Sequence, residues 1–203
     1  MVIKEEVLHS VGAIIRHYQP GEIIFNEGDV PKYYYQIITG QAKLNNYSDD
    51  GKEIIQTLLE EGQSIGESLL FIDKLYPVNA VAITKCSVQR LPKTVFLDLI
   101  KLYPEISFEM NKTLSQKLYF KLIMAQNLSS QNPTAKLTVL MDYLKSFQEN
   151  QSPYSFMIPL TRQQMASLTG LCVETAIRTI KIMERDKIVK IKDRKICIKS
   201  NFF

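Results

Sequence analysis

Residues 160–185 read LTRQQMASLTGLCVETAIRTIKIMER, from Leu160 to Arg185, and this stretch decides the architecture. Thr161-x-x-Gln164 is a capping-box pattern: the threonine side chain caps a helix start and the glutamine three residues on reaches back. Gly170 supplies a turn, and a second helix is predicted from about Val173 to Arg185. On that helix Glu174 and Arg178 sit one turn apart and project together. A carboxylate accepts from cytosine N4 and a guanidinium donates as a fork to guanine O6 and N7, so the pair suits base edges in a DNA major groove. For an isolated E-x-x-x-R the competing reading is a plain intrahelical ion pair.

Downstream, IVKIKD and KICIK alternate apolar and basic residues around Asp193-Arg194, which predicts a hairpin wing. Residues 131–203 carry 12 Lys+Arg against 6 Asp+Glu, whereas residues 1–130 carry 13 against 15. The basic excess is therefore C-terminal and favours a polyanionic partner for that end.

Upstream, Ala135 to Phe147 reads as an amphipathic helix, followed by the loop QENQSPYS and a short FMIPL strand. The polar run Ser129-Ser130-Gln131-Asn132-Pro133 is the best domain boundary. Before it a long helix is predicted from Pro104 to about Leu128, because Ile106, Met110, Leu114, Leu118 and Leu122 recur every four residues and Ala125 and Leu128 continue on a neighbouring stripe. Its second half, with Tyr119, Phe120, Ile123 and Met124, is apolar almost all round. Such a helix needs two partners, here its own barrel and the same helix of a second subunit.

Between Gly21 and Leu91 the runs EIIF, YYYQIITG, QAKLNNY, EIIQTLL, AVAITKC and SVQRL are short, β-rich and punctuated by turns, among them Asp50-Gly51. They predict an antiparallel barrel or sandwich. Residues 1–19 read as a short helical lead ended by Pro20-Gly21, and Thr94 to Lys101 as a short helix after the last strand.

Composition narrows the function further. No apolar run approaches the ~20 residues that span a bilayer, and MVIKEEVLHS lacks a signal-peptide core, so a cytoplasmic location is expected. Cys86, Cys172 and Cys197 form no C-x-x-C pair, which favours three reduced, half-buried thiols over a zinc or cluster site. There is no phosphate-binding glycine loop and no Cys/His pair at plausible spacing, so enzymatic chemistry is not expected.

The order of elements and PGEIIFNEGD, YQIITGQAKL, DDGKEII, EEGQSIGESLLF, Ala80-Val81-Ala82 and GLCVETAIR together resemble the CRP/FNR family. Those bacterial regulators are typified by the cyclic-AMP receptor protein and the fumarate-nitrate reduction regulator. The resemblance covers nearly the whole chain, and V-E-T-x-x-R at Val173 to Arg178 is similar to the fumarate-nitrate branch. It implies an α+β fold, with an N-terminal antiparallel β-barrel of jelly-roll type over 1–103, a dimerisation helix over 104–130 and a winged helix-turn-helix over 131–203. It also implies a homodimer on an inverted repeat of the TTGA kind, with RNA polymerase as a further partner. Val173, Glu174 and Arg178 would read bases, and Thr161, Arg162, Thr175, Lys192 and Lys195 would contact phosphates. Met110, Leu114, Leu118, Leu122 and Ala125 would form the dimer seam.

The family's cyclic-nucleotide site uses G-E and then R-S-A. Here Gly66-Glu67-Ser68 matches, but Val78-Asn79-Ala80 lacks the arginine, and Lys121 and Leu122 stand where the family's long helix offers hydroxyls to adenine. A buried phosphate without a cation is costly, so the pocket is expected not to take cyclic AMP, and the effector is not specified by the sequence. The iron–sulfur branch needs an N-terminal cysteine cluster, and haem would need an axial ligand from His9 or His17; no cofactor is expected. The alternative is a small-molecule- or haem-sensing module that works mainly through protein contacts.

Overall fold

Gly12, at φ 89°, divides the N-terminal lead into two elements. The protein is described by a computed structural model over residues 2–49, 51, 53–128 and 130–199, without the side chains of 127 and 128. Only Glu5–Ser10 is helical (α1); Ile14–Tyr18 is strand β1, paired antiparallel with β8 (Cys86–Pro92) from Ile14↔Arg90 to Tyr18↔Cys86. The predicted helical lead is thus corrected. The β-branched pair Ile14-Ile15 suits a pleated ladder better than a helix, and the partner strand lies some 70 residues away.

The remaining strands of this half are β2 (Ile23–Phe25), β3 (Tyr33–Thr39), β4 (Ala42–Tyr47), β5 (Glu53–Leu59), β6 (Ser64–Ile65) and β7 (Asn79–Ala82). They form two four-stranded sheets, in the orders β1-β8-β3-β6 and β2-β7-β4-β5. Residues from both sheets, including Phe25, Tyr35, Ile37, Leu59, Ala80 and Val88, make one buried core. Strands β4 and β5 pair as the hairpin reading required, with a bulge at Leu44/Asn45, but Asp50 of its turn lies outside the described residues.

On strand β3 alternate residues serve a second core. Tyr34 stacks on Phe96 of α2 (Lys93–Leu102) at 4.5 Å, alongside Leu8, Leu91, Leu99 and Met110. Gln36, fully buried on the same face, accepts from the Ile3 amide at 3.0 Å and donates from Nε2 to the Ile3 carbonyl at 2.7 Å. Gln89 donates to the Glu5 carbonyl at 3.2 Å. Two side chains thus replace a neighbouring strand and hold the first residues of the chain against the sheet.

Helix α3 spans Pro104–Leu128, as its periodicity predicts. The chain forms two compact units, Met1–Gln116 and Lys117–Phe203, whose boundary falls inside α3. Ile106, Met110 and Leu114 pack into the second core of the first unit, whereas Phe120 and Met124 pack on the core of the second. The sequence names the barrel and a second subunit as the partners of this helix; the structure adds the core of the second unit, on which Phe120 and Met124 pack. Met110, expected in the dimer seam, is only 2% exposed and belongs to its own unit's core.

The second unit continues with α4 (Pro133–Lys145), α5 (Arg162–Thr169), α6 (Val173–Arg185) and the hairpin β9 (Val189–Lys192) and β10 (Lys195–Ile198). Asn132 caps α4 by accepting from the Thr134 and Ala135 amides. The FMIPL segment forms no strand: Pro159 has no N–H to give, and only a single bridge links Met157 to Cys197. Leu137, Leu140, Met141, Met165, Ile180 and Met183 make the unit's core.

No helix among the described residues is long and apolar enough to cross a membrane.

Candidate nucleic-acid interface

Local sequence sets the geometry of the key stretch. Thr161 Oγ1 accepts from the Gln164 amide at 3.1 Å and Gln164 Oε1 accepts from the Thr161 amide at 2.8 Å, which completes the capping box at the start of α5. Gly170 ends α5 in the left-handed region at φ 68°, where a side chain would be strained. Helix α6 then buries Ala176, Thr179, Ile180 and Met183, so the opposite face is forced outward.

That outward face presents Glu174, Ile177, Arg178 and Lys181. Glu174 lies in the first turn, where the helix dipole favours a carboxylate. Among the described residues no ion pair joins Glu174 to Arg178, and the Glu174 carboxylate instead meets the Cys172 thiol in a side-chain hydrogen bond. Val173 is half-buried. Thr175 is half-buried too, and its Oγ1 lies 2.9 Å from Sγ of Cys172, the N-cap residue of α6. Cys172 is exposed, unlike buried Cys86 and Cys197, which corrects the reading of three half-buried thiols. Hydrogen bonds from the Thr175 side chain and backbone hold its thiol below the usual range.

The other predicted contacts fall into two kinds. Lys192 and Lys195 are exposed and directly opposed across the β9–β10 ladder, flanking Asp193 and Arg194 at φ 49° and 64°. Like charges facing each other on a hairpin repel, and an anion between them removes that cost. Arg162 instead donates from Nη1 to the Arg194 carbonyl at 3.4 Å, tying the start of α5 to the wing turn. Sequence reasoning missed Ile177, Lys181 and Arg194. The first two follow from Glu174 and Arg178 by helical spacing, whereas Arg194 needs the three-dimensional contact.

In the first unit, the turn that the resemblance assigns to a nucleotide runs through Gly66, Glu67 and Ser68. Gly66, at φ 65°, precedes a short 3-10 helix, Glu67–Phe71, in which Glu67 is buried and Ser68 exposed. A Cβ on Gly66 would stand 2.8 Å from Tyr76 and 2.9 Å from Phe25, whose rings stack at 3.7 Å. Asn79 accepts from the Glu27 amide at 2.9 Å and donates to the Asn45 carbonyl at 3.4 Å, so its amide is engaged at both ends beside half-buried Val78. Lys121 and Leu122 belong to the second unit and are exposed on α3. His17 Nδ1 lies 3.0 Å from Ser87 Oγ on the sheet, and His9 lies in the last turn of α1. The described residues contain no group of three or more His, Cys, Asp or Glu placed to hold a metal.

Along the seam predicted on α3, Leu118 is 60% and Leu122 56% exposed, and Ala125 is exposed as well. Phe108 and Tyr119 are two further exposed apolar side chains of this helix.

Two family models match the chain: a cyclic nucleotide-binding domain over residues 15–103 and a Crp-like helix-turn-helix domain over residues 138–200. The cAMP-activated global transcriptional regulator CRP of Pasteurella multocida is 24% identical over 186 residues, spanning 91% of this chain and 89% of the relative. The transcriptional activator protein FnrL of Cereibacter sphaeroides is 23% identical over 194 residues, spanning 92% and 77%. Among solved structures, the c-di-GMP responsive regulator CLP of Xanthomonas campestris superposes with a TM-score of 0.75 at 21% identity over 97% of this chain and 98% of that one. FixK2 of Bradyrhizobium japonicum gives 0.73 at 17% identity over 93% of each. These likenesses place the fold.

Proposed function

The chain belongs to the CRP/FNR family of DNA-binding transcription regulators, which are not enzymes, and from that premise we propose that it acts as a cytoplasmic homodimer on an inverted repeat of the TTGA kind. The exposed, mutually unpaired heads of Glu174 and Arg178 on α6 carry this reading. Arg178 donates to guanine O6 and N7, Glu174 accepts from cytosine N4, and Val173 meets a thymine methyl. Thr161, Arg162, Thr175, Lys192 and Lys195 set register on the phosphates. The proposed partition is an effector domain over 1–103, a dimer helix over 104–130 and a DNA-binding domain over 131–203. Exposed Leu118, Leu122 and Ala125 of α3 form the seam, with RNA polymerase as the onward partner.

Cyclic AMP is not the activator in this reading. Val78 offers no charge to a phosphate, Asn79 is engaged by Glu27 and Asn45, and the Phe25–Tyr76 ring pair stands against Gly66. Calorimetric titration with cyclic AMP and cyclic GMP is expected to give no binding, and micromolar affinity would overturn this part.

Footprinting on an inverted TTGA repeat tests the main reading. Arg178→Ala should abolish specific protection, at a cost of ~1–3 kcal/mol per lost base contact. Retention of the same sequence preference by that variant would sink the assignment.

A further inference from the structure

The first sheet of the N-terminal unit carries, on the face it turns to the core, a cation with no anion. Arg90 stands opposite Ile14 on one side and Tyr35 on the other, so its side chain shares a face with Tyr35, Ile37 and Val88. Arg16 and Tyr18, paired with Val88 and Cys86, share that face as well. The Arg90 guanidinium lies 4.2 Å from the centroid of the Tyr33 ring, and Tyr33 is 6.1 Å from Tyr35. Arg90 Nε is shut off from solvent and finds no acceptor, and neither does the hydroxyl of Tyr76, a residue only 3% exposed. Among the described residues no carboxylate lies within 4.0 Å of Arg90 or Arg16.

An aromatic face compensates a guanidinium only in part, and it leaves the buried Nε–H without an acceptor. The nearby acids do not supply one. Glu22 accepts from the Gln19 amide at 2.7 Å, and Asp29 accepts from the Asn26 amide at 2.8 Å and from its side chain at 3.3 Å. The tyrosines nevertheless form one electrostatic neighbourhood. Burial raises the Tyr18 and Tyr35 hydroxyls, Tyr35 to about 12, and the Arg90 charge opposes that rise on both. Burial likewise raises Tyr76, with Tyr35 adding to it.

We propose that this edge of the sandwich binds a small organic monocarboxylate, its carboxylate on the edge of the Arg90 guanidinium and its carbon skeleton against the Tyr33 and Tyr35 rings. The planar fork of arginine matches a carboxylate in two parallel hydrogen bonds. One negative charge suits the site better than two, because Glu22 and Asp29 lie in the same electrostatic neighbourhood without pairing with Arg90, and a second charge on the ligand would be repelled by them. No residue of the Gly66–Ser68 turn or of Val78 and Asn79 takes part. The proposal goes beyond DNA recognition and is independent of it, since the site is read by direct binding.

The chain has ten tyrosines and no tryptophan, so its ultraviolet emission reports on tyrosine alone. The full-length protein is titrated with sodium butyrate at fixed ionic strength, with 1-butanol and inorganic phosphate as comparisons. Butyrate should change tyrosine emission saturably and raise the melting temperature; the other two should do neither. Arg90→Gln should weaken butyrate at least tenfold, and Arg90→Lys, which keeps the charge but loses the fork, should fall between. Circular dichroism and DNA binding of each variant check that it is folded, and Tyr33→Ala offers an independent lesion of the same site. Absence of saturable butyrate binding, undiminished affinity in Arg90→Gln, or tighter binding of phosphate than of butyrate would each overturn the proposal.

Discussion

Cys172 illustrates how much one side chain can reveal. It is the N-cap residue of α6, stands in solvent and has its thiol lowered by hydrogen bonds from Thr175. Because the thiolate is the nucleophile, iodoacetamide should alkylate Cys172 well before buried Cys86 and Cys197, as peptide mapping would report. The added group would sit beside Val173 and Glu174, so alkylated protein should lose operator binding and Cys172→Ser should resist the reagent. Equal labelling of the three cysteines would contradict this. Such detail is only partly visible in the sequence. Glu174 and Arg178 are legible because helical spacing alone puts them together. The exposure of Cys172 is not legible, since it depends on how α5 and α6 pack.

At the scale of elements, the same distinction between local and distant causes holds. The Thr161–Gln164 box, the Gly170 turn, the start of α3 at Pro104 and the β9–β10 hairpin are encoded within a few residues, and all four are readable. Strand β1, the missing FMIPL strand and the burial of Met110 depend on partners far along the chain, and each departs from its local pattern. The wing offers a measurement. Lys192 and Lys195 face each other directly, so replacing both with serine should leave the free protein as stable or more so, by ~0.2–1 kcal/mol. If both contact phosphates, the slope of log K against log salt should shrink by about 1.8 per subunit while the preferred operator sequence is unchanged. An unaltered slope would remove the wing from the interface.

The behaviour of the whole molecule depends on the surfaces it leaves open and the groups it shuts in. Leu118→Glu with Leu122→Glu alters side chains that are 60% and 56% exposed, so both units should keep their cores. Analytical ultracentrifugation is expected to show monomers, and binding to an inverted repeat should fall towards that for a single half-site. Alkaline titration probes the shut-in groups. Burial raises Tyr34, Tyr35 and Tyr76 above the ordinary value of 10.0, Tyr35 to about 12. A raised pKa on a group that is neutral when protonated stabilises the fold below pH 10, and that stability is lost as pH rises from 10 towards 12. Tyrosinate absorbance should therefore appear in two stages, the second coinciding with unfolding seen by circular dichroism. The pinned N-terminus has a different bearing, on how the chain is made. Ile3 waits for Gln36, Glu5 for Gln89 and β1 for β8, the last two 68 to 84 residues later in synthesis. At about 5–20 residues per second the first strand leaves the ribosome several seconds before its partner exists. Through that interval Ile3 and Leu8, which the finished protein buries, are apolar side chains without their native cover.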